Sequence, residues 1–165
     1  MTRITILSDT HIPKRAKDIP QRLWEEIKQT DLVLHAGDIV QPLVLENIAQ
    51  YTPIRAVRGN MDPIELQTVL PEYDLVEIEG VKIGLTHGQG APNQVKSYVR
   101  SLFRGHDLQV VIFGHSHQPE LSNENGVWYL NPGSPTDTFF APYLSYARME
   151  IDKGKIIEIK ILSLA

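Results

Sequence analysis

Seven residues able to ligate metal ions stand just past five short apolar runs. They are Asp9 and His11 in Ser8-Asp9-Thr10-His11, Asp38 after Gly37, Asn60 after Gly59, His87 in Thr86-His87-Gly88, and His115 and His117 in Gly114-His115-Ser116-His117. On an extended segment, residues two apart point to the same side, so Asp9 with His11 and His115 with His117 each form a two-pronged clamp. Two carboxylates, one amide oxygen and four imidazoles exceed the needs of one tetrahedral ion, which argues for two ions. A carboxylate can bridge, so Asp38 is able to hold both in the kind of centre that activates water. The mixed nitrogen and oxygen set suits Mn2+, Ni2+, Fe or Zn2+ better than Mg2+ or Ca2+, with Mn2+ the first expectation. The chain has no cysteine, which removes thiolate zinc sites, cysteine nucleophiles and disulfides.

Any one of these pairs occurs often by chance, but five in order, each behind a strand-like run, do not. Ile4 to Leu7, Leu32 to Leu34, Ile54 to Val57, Val81 to Leu85 and Val110 to Phe113 read as buried strands, and their carboxyl ends are the edge at which open α/β sheets build sites. Glycines 37, 59, 88 and 114 beside the ligands let the backbone turn and approach closely. Helices fill the gaps: Pro20 to Lys28 buries Leu23, Trp24 and Ile27, Pro42 to Ala49 repeats the pattern, and Pro92 to Phe103 carries Val95, Tyr98, Val99 and Leu102 on one stripe. Lys96, Arg100 and Arg104 lie off that stripe and read as a solvated face.

Beyond Gly114 the texture changes to hairpins, with turns at Asn125-Gly126 and Asp152-Lys153-Gly154, so the last third reads as antiparallel. A further hairpin turns at Gly80. The whole is expected to be an α/β protein of two packed mixed sheets flanked by helices, in one domain over residues 1–165. His35 is expected to be a hydrogen-bonded structural histidine and His106 a loop residue. Trp128, Phe139, Phe140, Tyr143 and Tyr146 are expected to enter the core of the second sheet, with a homodimer or higher homo-oligomer face as the alternative.

The 165 residues are 42% hydrophobic, enough for a real core, and the net charge of −4 without long basic clusters argues against bulk nucleic-acid binding. There is no basic and apolar leader and no apolar run of membrane-spanning length, so a soluble cytoplasmic protein with no membrane partner is expected.

The five blocks resemble the signature of calcineurin-like metallophosphoesterases. The short length, His35-Ala36-Gly37-Asp38 and Asn131-Pro132-Gly133-Ser134 are further similar to the small YfcE-like phosphodiesterase branch. The resemblance implies a four-layer αββα sandwich. It also implies that Asp9, His11, Asp38 and His117 hold one ion, and Asp38, Asn60, His87 and His115 the other. A hydroxide bridging the ions would then attack phosphorus in line, making the chain a binuclear phosphodiesterase acting on small phosphodiesters, with Asp38, Asn60 and His87 at the reacting centre.

Two features depart from larger members of that family. Gly59-Asn60-Met61-Asp62 stands where they carry Gly-Asn-His-Asp/Glu, and Gln41-Pro42 stands where they carry Asp-Arg-Gly after Gly-Asp. Methionine cannot protonate a leaving alkoxide, so acidic leaving groups are expected to be preferred, with Asp62 or a metal-bound water as substitute acid. Arg58 is the main cation expected near the phosphate, and this scarcity of positive charge favours a diester over a monoester. A phosphomonoesterase or nuclease using the same site is the near alternative. A non-catalytic interaction scaffold, such as the similar small subunit of retromer, is the distant one, and the seven intact ligand positions argue against it.

Overall fold

The computed structural model describes residues 1–164. Alternating apolar residues build a five-stranded sheet in the order β10-β9-β1-β2-β3, from β1 (Thr2–Leu7), β2 (Leu32–His35), β3 (Ile54–Ala56), β9 (Ser145–Asp152) and β10 (Lys155–Ser163). A second sheet runs β4-β5-β6-β8-β7, from β4 (Tyr73–Ile78), β5 (Val81–Thr86), β6 (Val110–Ile112), β7 (Glu120–Glu124) and β8 (Val127–Asn131). Strand parity explains the layers. Ile4, Ile6 and Leu34 of the first sheet and Ile83, Leu85, Val110 and Ile112 of the second share one buried cluster between the sheets.

The other faces carry helices. Leu23 and Ile27 of α1 (Gln21–Ile27), Val44 and Ile48 of α2 (Leu43–Ala49), and Leu66 of α3 (Ile64–Gln67) pack with Leu7 and Val33 against the first sheet. Val95 and Val99 of α4 (Val95–Leu102) pack with Val111 and Phe113 against the second. The expected sandwich of two mixed sheets between helices is what forms.

Three local expectations need correction. Strand β8 pairs in parallel with β6, so the last third is not uniformly antiparallel. Lys96 and Arg100 are not merely solvated: Lys96 reaches Glu120 and Glu124, and Arg100 reaches Glu124, which pins α4 to β7. Of the late aromatics Tyr146 is buried and Trp128 half-buried, whereas Phe139, Phe140 and Tyr143 are exposed. No helix among the described residues is long and apolar enough to cross a membrane.

Within the first sheet β1, β2 and β3 are adjacent and parallel, and within the second β5, β6 and β8 are. Both triplets deliver their carboxyl ends to the same place. The five chemistry-bearing blocks meet there.

Candidate metal centre

The strand ends bend sharply to bring the side chains inward. Asp9, His11, Asp38, His115 and His117 all have positive φ, between 43° and 73°. Such conformations are costly for residues other than glycine and persist where surrounding structure enforces them. Here the enforcement is visible: Asp9 N–H donates to Gly37 O and His11 N–H to Asp38 O, tying the end of β1 to the end of β2. Gly59 and Gly114 are required by close approach, because a Cβ on Gly59 would lie 2.1 Å from Asp38 Oδ1 and one on Gly114 would lie 2.7 Å from Asp9 Oδ2.

Two clusters result. Asp9, His11 and His117 place one ligating atom each within 4.8 Å of one another, as do Asp38, His87 and His115. Asp38 Oδ2 lies 3.4 Å from His11 Nε2 and 3.2 Å from His87 Nε2, so one carboxylate oxygen faces members of both clusters. Asn60, on the loop after β3, lines the groove above them together with His115 and His117.

The imidazoles are aimed by hydrogen bonds to their far nitrogens, the usual device that leaves the other nitrogen free for a cation. His87 Nδ1 donates to Ala36 O at 2.8 Å, leaving Nε2 toward the site. His117 Nδ1 donates to Asp137, and His115 Nε2 donates to Gly90 O, which turns Nδ1 inward. Asp9 Oδ2 is occupied by Ser8 Oγ and His115 N–H. Its Oδ1 and His11 Nε2 are buried without a hydrogen-bond partner, although 3.6 Å apart. Buried orphaned polar atoms are rare, and two aimed into one cluster of oxygen and nitrogen donors fit a divalent cation.

Electrostatics agree. Burial alone would raise the Asp9 carboxyl, but the positive charge of His87, with His11 and His117 alongside, holds it well below its ordinary value. Burial would likewise depress His87, yet Asp9 and Asp38 push it up to about 9. His117 is raised against its own burial by Asp9 and Asp137. The clusters favour positive charge, and a metal ion must displace protons to take that place.

The residue carrying the expectation of a substitute acid sits elsewhere. Asp62 is buried, and its carboxylate accepts N–H groups of Ile39 and Val40 at Oδ1 and of Asp38 and Gly59 at Oδ2. It is not among the groove-lining residues, and it acts as a brace that clips the β2 and β3 loops together. Met61 is in the groove wall and 47% exposed. His35 is the expected structural residue, fully buried between Thr10 Oγ1 and Gly37 N–H. Asn131 and Ser134 also serve as braces, Asn131 reaching Gly114 O and Ser116 Oγ, and Ser134 reaching Asp9 O.

Other residues near the site escaped sequence reasoning. Asp137 orients His117 from an irregular loop with no periodic signal. Lys14 and Arg15 line the groove of about 400 Å3 over the clusters, whereas Arg58 donates to Leu70 O and lines a neighbouring cavity of about 280 Å3. The groove is therefore better supplied with cations than the sequence implied. Asn60 borders both cavities.

Residues 2–154 match the calcineurin-like phosphoesterase superfamily domain. A protein of Methanothermobacter thermautotrophicus described as a probable metallophosphoesterase is 39% identical over 134 residues, covering 81% of this chain and 77% of its own. A Thermotoga maritima protein solved by solution NMR is 33% identical with a TM-score of 0.76, covering 99% of this chain and 100% of its own. Vps29 of Chaetomium thermophilum shares the fold at 21% identity, with a TM-score of 0.80 over 92% of this chain and 86% of its own.

Proposed function

The chain belongs to the calcineurin-like phosphoesterase superfamily, and from that premise we propose that it is a phosphodiesterase working with two divalent metal ions, Mn2+ first among them. The observation that carries this reading is the position of Asp38 Oδ2, within 3.4 Å of His11 in one cluster and 3.2 Å of His87 in the other. A carboxylate so placed suits a bridge. Asp9, His11, Asp38 and His117 would hold one ion, and Asp38, Asn60, His87 and His115 the second. Bound there, the ions supply an acidified water as nucleophile and neutralise charge on the phosphoryl oxygens.

The rest falls to the chain's own groups. Ala36 O, Gly90 O and Asp137 fix three imidazoles so that the ligating nitrogens need no reorganisation. Lys14 and Arg15 attract the anionic phosphoryl group into the groove. Met61 holds no transferable proton, so the leaving oxygen departs without help from that position and acidic leaving groups are favoured. The diester reading is supported by the two cavities flanking Asn60, of about 400 and 280 Å3, which offer room for an ester arm on each side. It is also supported by an archaeal phosphodiesterase of the same fold, 24% identical with a TM-score of 0.72 over 97% of this chain and 99% of its own.

The test is hydrolysis of bis(p-nitrophenyl) phosphate and p-nitrophenyl phosphate by chelator-stripped protein resupplied with Mn2+, Ni2+, Zn2+ or Mg2+, beside Asp38→Asn. Diester turnover restored by metal and lost in the variant is expected. Inactivity with every metal would overturn the enzymatic reading in favour of an interaction scaffold, and faster monoester turnover would overturn the diester assignment.

A further inference from the structure

Phe139 and Phe140 are 75% and 58% exposed, yet they are held firmly. Both backbone N–H groups donate to the Asp137 carboxylate, at 2.9 Å from Phe139 and 3.3 Å from Phe140. The rings meet edge to face at 4.7 Å. The Arg15 guanidinium sits over both, 5.9 and 5.2 Å from their centroids, and reaches Asp137 at 3.8 Å. With their rings largely exposed, these residues gain little of the burial that ordinarily stabilises phenylalanine. Phe140 lines the groove over the metal clusters, its ring 6.3 Å from that of His117 and nearly perpendicular to it. Asp137 fixes both rings, so the distance between aromatic wall and candidate metal ligand is set by one carboxylate.

We propose that Phe140, buttressed by Phe139 and Arg15, is a stacking wall for a nucleobase, so that the ester groups handled at this site are nucleosides; this rests on the phosphoesterase reading above. A phosphoryl group over the clusters leaves its ester arm to extend toward Phe140, whose ring centroid lies 6.3 Å from that of His117. Planar bases stack on exposed aromatic faces with little sequence preference, and Lys14 and Arg15 meet the phosphate charge beside them. Met61 and Pro92 add apolar lining. A concave groove of about 400 Å3 with cations at its edge suits a nucleotide-sized ligand better than a flat protein surface would.

The test is calorimetric binding of adenosine 5′-monophosphate and of ribose 5-phosphate, which lacks only the base, to Mn2+-loaded protein. The nucleotide is expected to bind about tenfold more tightly, the effect of one stacked base. Phe140→Ala should bring the ratio near one while leaving ribose 5-phosphate affinity in place, and Phe140→Trp should keep the ratio. Saturation-transfer NMR should show the base protons in contact with protein. Equal affinity of the two ligands for the unmodified protein overturns the proposal. Equal weakening of both by Phe140→Ala also overturns it, since that would reveal a structural role through Asp137. Diester hydrolysis without base preference sinks this inference alone, whereas base-dependent binding without any hydrolysis sinks the catalytic reading alone.

Discussion

Replacing Asp62 by Asn separates a brace from an acid. The carboxylate accepts four backbone N–H groups, two at each oxygen, from Asp38, Ile39, Val40 and Gly59. An amide retains one acceptor oxygen and presents N–H donors where the other stood, so two backbone donors lose a charged acceptor and face a like dipole. Hydrogen bonds to charged groups contribute roughly 1.5–3 kcal/mol each, which makes the expected loss about 3–6 kcal/mol. In a domain of this size that is a fall of roughly 6 °C or more in Tm. The variant should also bind Mn2+ more weakly, because the loop carrying Asp38 is released. Urea denaturation of chelator-treated protein and metal titration by calorimetry read both quantities. If Asp62→Asn loses kcat while stability and metal affinity stay unchanged, the carboxylate is an acid at the reacting centre and the brace argument is refuted.

Asp137→Asn weakens the acceptor that orients His117 Nδ1, and a 10- to 100-fold loss of metal affinity is expected by calorimetry; unchanged affinity would contradict that role. Burial pushes the pKa of His35 down to about 4, against the opposing pull of Asp62. The folded value lies below the unfolded one near 6.5, so as pH falls from 6.5 toward 4 the unfolded chain gains a proton that the folded chain refuses. Stability drops over that window by about 3 kcal/mol and this contribution is flat above it. An NMR titration of His35 with a midpoint between 6 and 7 would refute this. Met61→His places a proton donor in the groove wall, and its half-exposed position lets the substitution fit. Turnover of alkyl diesters should rise by about 10²-fold, with aryl diesters little changed, and no change in alkyl turnover would sink the idea.

The grouping of Asp9, His11 and His117, and of Asp38, His87 and His115, is legible in the sequence because these residues sit just beyond strands whose pattern is strong. Ile4 to Leu7 and Val81 to Leu85 alternate clearly, and the candidate ligands follow directly. The short helix over Ile64–Gln67 escaped notice because four residues carry no period. Parallel pairing of β8 with β6 was hidden because hairpin turns report only on neighbours in sequence. The backbone contacts of Asp62 are hidden for a physical reason: a carboxylate two residues from a candidate metal ligand looks the same in sequence whether it faces substrate or gathers backbone N–H groups. Asp137, Lys14 and Arg15 lie in irregular loops, where position depends on tertiary hydrogen bonds rather than on a repeat. Phe139 and Phe140 mislead most, since composition assigns such residues to the core while Asp137 and Arg15 hold both exposed, Phe140 at the groove's edge.

The most direct test of the account is an anomalous-scattering crystal structure of the protein grown with Mn2+. Two peaks are predicted, one among Asp9, His11, Asp38 and His117 and the other among Asp38, Asn60, His87 and His115, with the Asp38 carboxylate touching both. A single peak, or two peaks with Asp38 contacting only one, would contradict the binuclear centre on which the proposed chemistry depends.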